Sequence, residues 1–384
     1  MKVLQLGKFY PIRGGVEKVM WDLTRGLSER GVTCDMLCAT LKSDPVDAPD
    51  QARCTLTPEG KVIRFNDSGR VICVPALAKK AATMLSPAMI RWMRRHAAEY
   101  DLVHIHHPDP MAALALRLSG YRGRVILHWH SDILSQKFLL AFYRPLQSWL
   151  IRRAEKIVGT TPVYVHESPA LQGVQDKVTY VPIGILPVNP DEKAVSEMRN
   201  RYQGKKIVVS LGRLIPYKGY DTLVAAAALL GEDYQVLIGG MGPLQENLQA
   251  QINGLGLQER VELLGYVPDE EVPTLYGACD VFVLSSVMKT EAFGIVQIEA
   301  MSCGRPVVAT RIPESGVAWV NEDSVSGLNV DPGDPEALAD AIRRICDDRE
   351  TWLRYAEGAK LRFERMFTAQ GMIDKMTDIY EENC

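Results

Sequence analysis

Glu291 and Glu299 bracket the segment Glu291-Ala-Phe-Gly-Ile-Val-Gln-Ile-Glu299. Were the whole interval helical, a rise of about 1.5 Å per residue would part their α-carbons by roughly 12 Å. Carboxyl pairs that cleave a glycosidic bond together work at roughly 5 to 9.5 Å. The spacing therefore suits two grips on one extended ligand, such as a nucleotide sugar, better than a shared acid–base event. Two cations lie nearby in type, in Leu211-Gly212-Arg213-Leu-Ile-Pro-Tyr-Lys218-Gly219. This segment follows a strand-like run and precedes a helical one, the ligand-binding position of an open α/β sheet. Arg213 and Lys218 there can neutralise a diphosphate beside a helix N-terminus. Gly239-Gly240-Met241-Gly242 repeats the arrangement after the next strand, where missing β-carbons let backbone approach a ligand.

Gly14 and Gly15 follow the first strand and open a helix, so their N–H groups can cradle a phosphate or an acceptor sugar. Five of the seven histidines, His104, His106, His107, His128 and His130, fall within 27 residues. His128-Trp-His130-Ser-Asp132 has HxHxD spacing, which gives a rival reading as a metal-dependent hydrolase. Alternating strand histidines share one face, however, and hydrogen-bonded core histidines account for them as well. Neither a GxGxxG fingerprint nor a GxxxxGK[ST] loop is present, which removes support for dinucleotide and P-loop chemistry.

These residues need a scaffold, and the chain supplies an alternating one. Val3 to Leu6, Thr33 to Cys38, Leu102 to His106, Val125 to His128 and Lys156 to Gly159 read as strands with helices between them. A shorter pair, Val62 to Phe65 and Val71 to Val74, also reads as strand. A second series starts at Lys206 and continues through Gln235, Val261, Val281 and Pro306. The pattern predicts α/β architecture with parallel, doubly wound sheets. Residues 1–184 form an N-terminal Rossmann-like domain in this reading, and 185–204 a linker. Residues 205–365 form a second Rossmann-like domain, and 366–384 a helix crossing back to the first.

Net charge is only −3, but up to Gly184 there are 25 Lys and Arg against 16 Asp and Glu, and beyond it 19 against 31. The basic first half points at something anionic. Lys79–Arg95 and Lys137–Arg153 interleave arginine with aromatics, which suits peripheral contact with an anionic membrane as well as ordinary amphipathic packing. No nucleic-acid motif accompanies them. The N-terminus reads as a strand and not a signal peptide, and the eight cysteines show no CxxC. Both lead to the expectation of a cytoplasmic protein with reduced thiols, peripheral on the inner membrane at most.

Taken together these motifs resemble the retaining glycosyltransferases of family 4, of the GT-B fold, with two Rossmann-like domains facing across a cleft. The resemblance spans nearly the whole chain: the glycine pair, a strand-end histidine, G-R-x-x-x-x-K-G, E-x7-E and its tail Glu299-Ala-Met-Ser-Cys-Gly304-Arg-Pro306. His130-Ser-Asp132-Ile133, Gln136-Lys137 and Tyr143-Arg-Pro-Leu146 are similar to bacterial O-antigen and capsule enzymes that transfer mannose or rhamnose. The resemblance implies that Arg213 and Lys218 hold the diphosphate and that Glu299 binds the ribose. Glu291 and His130 would touch the donor sugar, and the amides of Phe293, Gly294 and Ile295 would lie near sugar and phosphate. Tyr266 and Val267 would lie beside the base, with Gly240 and Gly242 also on the donor, and Gly14, Gly15 and His107 on the acceptor side. It implies no metal and no cofactor, GDP-mannose as donor and a lipid-linked saccharide as acceptor. A UDP-sugar donor and a UDP-sugar 2-epimerase are the alternatives on the same fold. The usual Asn of a V-P-N-G segment is Ile183 here.

Overall fold

The computed structural model describes residues 1–12, 14–44, 53–80, 83–133 and 137–382, without the side chains of 137–140. Gln136 lies outside the described residues. The chain divides into two compact units, Met1–Gly184 with Ala369–Cys384, and Ile185–Thr368.

The first unit begins β1 (Lys2–Phe9), α1 (Gly15–Glu29), β2 (Thr33–Thr40), β3 (Arg53–Thr57), β4 (Gly60–Arg64), β5 (Gly69–Pro75), β6 (Ala78–Lys80) and β7 (Thr83–Leu85). It continues α2 (Pro87–His96), β8 (Leu102–His107), α3 (Pro110–Ser119), β9 (Arg124–Trp129), α4 (Lys137–Arg153), β10 (Lys156–Gly159), α5 (Pro162–Glu167) and β11 (Val178–Tyr180). Nine strands form one sheet in the order β11-β10-β9-β8-β1-β2-β5-β4-β3. Pairings from β11 to β5 are parallel, while β5, β4 and β3 run antiparallel to one another. A uniformly parallel sheet is thus not what forms here. The physical reason is connection length: β3, β4 and β5 are joined by short turns, and only antiparallel strands can be joined so tightly. In β1 and β8, Gln5 pairs with His104, and His106 pairs with His128 of β9. This register gathers the polar strand residues on one side of the sheet.

The second unit runs α6 (Glu192–Arg201), β12 (Lys206–Leu211), α7 (Tyr220–Leu229), β13 (Tyr234–Gly239), α8 (Gln245–Gly254), β14 (Val261–Gly265), α9 (Val272–Ala278) and β15 (Val281–Leu284). It ends α10 (Ile295–Ser302), β16 (Val307–Thr310), α11 (Val317–Val320), β17 (Gly327–Val330), α12 (Pro335–Cys346) and α13 (Arg349–Met366). Its sheet, in the order β14-β13-β12-β15-β16-β17, is parallel throughout. The near-continuous apolar strands, such as Ile207 to Val209 and Val281 to Leu284, are buried as strands covered on both faces must be. Residues 185–204 are not a bare linker. Asp191 caps α6 through its side chain, and Arg199 pairs in fork geometry with Asp280 at 2.8 and 2.9 Å, tying the helix to its own unit.

The chain then returns to the first unit as α14 (Ala369–Glu381), which packs on α1 with Met372, Ile373, Met376 and Tyr380 buried. Of the two basic segments, Lys79 and Lys80 lie in a short hairpin strand and not in a helix. α2 buries Met89, Trp92 and Met93 within its own unit. Much of its apolar face is therefore already covered, and its arginines remain outside. Among the described residues no helix is long and apolar enough to cross a membrane.

Candidate active site

In the second unit the loops after β12 and β15 bring Lys218 and Glu291 together. Lys218 sits on a 3₁₀ turn, Pro216–Lys218, closed by Gly219 at φ +64°. A β-carbon at Gly219 would overlap the carbonyl oxygen of Ser285, so only glycine lets the turn lie against the β15 loop. Lys218 Nζ meets Glu291 Oε2 at 2.5 Å, and Ser286 Oγ donates to the same oxygen at 3.1 Å. Both side chains are 12 % exposed. The residue read as a phosphate cation and the residue read as a sugar carboxylate are thus each other's partner. Glu291 is held in turn by Ser315, whose hydroxyl donates to its carbonyl at 2.5 Å.

Only the second half of the Glu291–Glu299 interval is helical, because α10 starts at Ile295 after Gly294 at φ +75°. The supposition of eight helical steps therefore does not hold, and the bend at Gly294 turns the loop before the helix. Among the described residues the N–H groups of Phe293, Gly294 and Ile295 find no acceptor. Three such donors at a helix N-terminus form an anion- or hydroxyl-binding surface next to Lys218 and Glu291. Glu299 lies within α10, and its Oε2 accepts from the Tyr276 hydroxyl at 2.6 Å. Phe293 is buried, packing edge-on against Phe367. Arg213 is exposed, and among the described residues no carboxylate pairs with it.

Gly240 and Gly242 are demanded by packing within their own unit. Gly240 has φ +138°, and a β-carbon there would overlap the carbonyl oxygen of Gly212. One at Gly242 would overlap that of Leu214. The neighbours that demand glycine are the chain's own loops, joined by Gly212 N–H to Gly239 O (3.0 Å) and Leu214 N–H to Met241 O (3.0 Å). Gly240→Ala should accordingly destabilise the second unit by at least about 3 kcal/mol, from backbone strain plus overlap. For a unit of this size that is roughly 6–12 °C in Tm. A loss under about 2 °C by calorimetry would refute the packing role. Tyr266, 69 % exposed, and Val267 stand at the rim of a cavity of about 440 Å³ that Glu262, Leu264, Glu271 and Thr274 also line.

In the first unit Gly14 and Gly15 are exposed at the start of α1, which no side chain caps. The Glu17 carboxylate folds back beneath Gly14, where a β-carbon would overlap it. Lys8 was not evident as a site residue. It holds φ +60°, its N–H donates to Asp109 Oδ2 at 2.5 Å, and its ammonium donates to Pro108 O at 2.6 Å. Asp109 also caps α3 through Met111 and Ala112 N–H. A non-glycine residue at positive φ is the signal of a specified loop, and no sequence pattern announces it. His107 does not face a ligand as the resemblance implies. It is 1 % exposed, stacked 3.8 Å from Trp129, with its Nε2 beside the Gln147 amide at 3.2 Å. Burial brings its pKa down to about 3. His130 follows β9, 5 % exposed, with its Nε2 bonded to His106 Nδ1 at 2.8 Å.

The HxHxD residues do not form a metal centre. The Asp132 carboxylate accepts from Trp129 Nε1 and Ser168 Oγ at 3.1 and 2.7 Å. His128 and His130 stack 4.0 Å apart with ring planes at 9°. Imidazole lone pairs lie in the ring plane, so near-parallel rings do not aim at one ion about 2.0–2.1 Å away. His104, His106 and His128 have nitrogens within 4.8 Å of one another. His128 nevertheless stacks on the other two at 11° and 24°, and both His106 nitrogens are bonded to Gln5 and His130. With the rings stacked and both His106 nitrogens engaged, this geometry gives the hydrolase reading no support.

The chain resembles known proteins along its whole length. A model described as "Glycosyl transferases group 1" matches residues 191–362, and one described as "Glycosyltransferase Family 4" matches residues 13–187. The chain is 31 % identical to the O-antigen chain mannosyltransferase C of Escherichia coli, over 99 % of this chain and 98 % of that one. It is 31 % identical to the D-rhamnosyltransferase WbpZ of Pseudomonas aeruginosa, over 96 % and 93 %. Among solved structures it shares the fold of HepE from Anabaena in complex with UDP, with TM-score 0.78, 22 % identity and full coverage of both chains. A sucrose-phosphate synthase from Thermosynechococcus elongatus gives TM-score 0.79 at 22 % identity, covering 100 % and 99 %. The chain is a glycosyltransferase of the GT-B fold and belongs to glycosyltransferase family 4.

Proposed function

We propose that the protein transfers a hexose, first of all mannose from GDP-mannose, with retention of anomeric configuration, onto a lipid-linked saccharide in surface-polysaccharide assembly. The observation that carries the transfer reading is the Lys218–Glu291 pair beside three unpartnered N–H groups at the start of α10. Such a group of fixed donors, with the exposed Arg213, is suited to stabilise charge as it grows on a leaving diphosphate. It takes the part that a divalent ion plays elsewhere, so the reaction needs none. In the reaction the bond from the anomeric carbon to the phosphate oxygen breaks, and the acceptor oxygen bonds to that carbon on the same face. The hydroxyl proton passes to the departing phosphate, leaving a nucleoside diphosphate and a glycoside. His130 and Glu291 bind sugar hydroxyls, and Glu299 binds the ribose. GDP-mannose and an O-antigen-type acceptor are favoured by the names of the two full-length relatives. The basic first half suits work at the cytoplasmic face of a membrane whose headgroups are anionic.

A panel of nucleotide sugars tests this by thermal shift, followed by nucleotide release with and without acceptor in EDTA. A GDP-sugar at 100 times its Kd should add about 2.7 kcal/mol. Stabilisation by UDP-sugars alone would refute the base assignment, and donor conversion without acceptor would point to epimerisation instead. Glu299→Ala should raise the donor KM about tenfold or more with kcat nearly unchanged, since it removes a charged hydrogen-bond acceptor far from the reacting carbon. A fall confined to kcat would contradict the ribose role.

A further inference from the structure

Beneath the sheet of the first unit a chain of buried hydrogen bonds ends on His130. The Gln5 amide nitrogen donates to the Tyr380 hydroxyl at 3.0 Å, and that hydroxyl lies 2.6 Å from His104 Nδ1. Gln5 Oε1 lies 2.7 Å from His106 Nε2, and His106 Nδ1 lies 2.8 Å from His130 Nε2. Gln5, His104, His106 and Tyr380 are fully buried. Burial keeps the imidazoles neutral, with pKa values well below the usual range. A neutral imidazole carries one N–H and one lone pair, so each link dictates the next. The carbonyl end of Gln5 requires the proton of His106 on Nε2. His106 Nδ1 then accepts, and His130 must donate from Nε2.

The direction of the whole chain depends on which way the Gln5 amide points. In the orientation present, both amide hydrogens have acceptors, Tyr380 Oη and Cys34 Sγ at 3.9 Å. Reversed, the NH₂ would face His106 alone, and its second hydrogen would have no described acceptor in a buried site.

We propose that Gln5, acting through His106 and oriented by Tyr380 of the C-terminal helix, is a positioning residue that holds His130 in its Nε2–H tautomer. His130 Nδ1 then meets the ligand as a hydrogen-bond acceptor, and the group it recognises is a sugar hydroxyl that donates. The identity of the ligand rests on the transfer reading above; the tautomer does not. The arrangement also gives the return of the chain at Ala369 a purpose at the site, because α14 supplies the hydroxyl that orients the amide.

The test is two-bond ¹H–¹⁵N correlation NMR on protein labelled at histidine, with His130 assigned by the signals lost in His130→Asn. In the wild type His130 and His106 should both be protonated on Nε2. Tyr380→Phe, a mild change, and Gln5→Leu should each convert His130 to a mixture of tautomers. Each should lower kcat about threefold to tenfold, the worth of one hydrogen bond, with the donor KM within about twofold. A wild-type His130 protonated on Nδ1 overturns the proposal, and so does a tautomer unmoved in Tyr380→Phe. Should transfer activity itself be absent, the NMR result still decides the tautomer. A failure of the transfer reading is thereby distinguished from a failure of this one.

Discussion

Replacing Lys218 with alanine is expected to lower kcat/KM by a factor of about 10²–10³, mostly in kcat. That is the cost of removing one preorganised donor from developing negative charge. The expectation rests on placement: the ammonium is 12 % exposed and already fixed at 2.5 Å from Glu291, so it spends no reorganisation at the moment of reaction. Lys218→Arg should restore little, because a planar fork does not occupy the space of a point charge held between a carboxylate and a phosphate. Glu291→Gln should lower kcat as well, since it loosens the ammonium and weakens a sugar contact together. Breaking a pair this well covered leaves one charge uncompensated. The two changes should therefore be clearly non-additive in a double-mutant cycle. A Lys218→Ala enzyme within about threefold of wild type, or strict additivity, would contradict the shared role.

The second large effect is acid unfolding of the first unit. Burial lowers His107 and His128 to about 3, and His104, His106 and His130 well below 6.5. Their folded pKa values lie below the unfolded one, so the unfolded chain binds more protons as pH falls below about 6.5. Stability from these groups is complete above that pH and is lost progressively toward pH 3. At pH 5 His107 and His128 each cost about 2 kcal/mol, and His104, His106 and His130 act in the same direction. Whole domains are stable by only about 5–15 kcal/mol. The first unit should thus lose its tertiary structure near pH 5, seen by near-ultraviolet circular dichroism. The second unit, with no histidine, should hold to lower pH. His128→Leu, which removes one of the five groups, should move the midpoint down by a few tenths of a pH unit. A first unit still intact at pH 4 would refute the neutrality of its buried histidines.

Several of these features were legible in the residues themselves. Strand and helix alternation in the second unit follows from apolar runs broken by loops, and its sheet is parallel as that alternation requires. Glycine at 212, 240 and 242 marked the loops correctly but not their reason, because a sequence does not say whether a ligand or another loop lies where the β-carbon would be. Similarly, Lys218 and Glu291 were separable as types but not as partners: seventy-three positions apart, they meet only through adjacent strand ends. α6 is polar and short, with no buried residue, so no apolar stripe distinguished it from a linker. Its anchor is the Arg199–Asp280 pair, which is tertiary. The histidines illustrate the same limit. Their alternation placed them on one face, whereas the register between β8 and β9 and the arrival of Tyr380 decided that they stack and that His104, His106 and His130 are hydrogen-bonded.

The central claim is glycosyl transfer with retention by groups that hold the donor and not by an acid–base pair of side chains. It is tested most directly by the anomeric configuration of the first product. Incubating the protein with α-linked GDP-mannose and a saccharide acceptor in EDTA, and measuring the one-bond ¹³C–¹H coupling at the new anomeric carbon by NMR, gives the answer. The account predicts an α-glycoside formed in the presence of the chelator. A β-glycoside would contradict it.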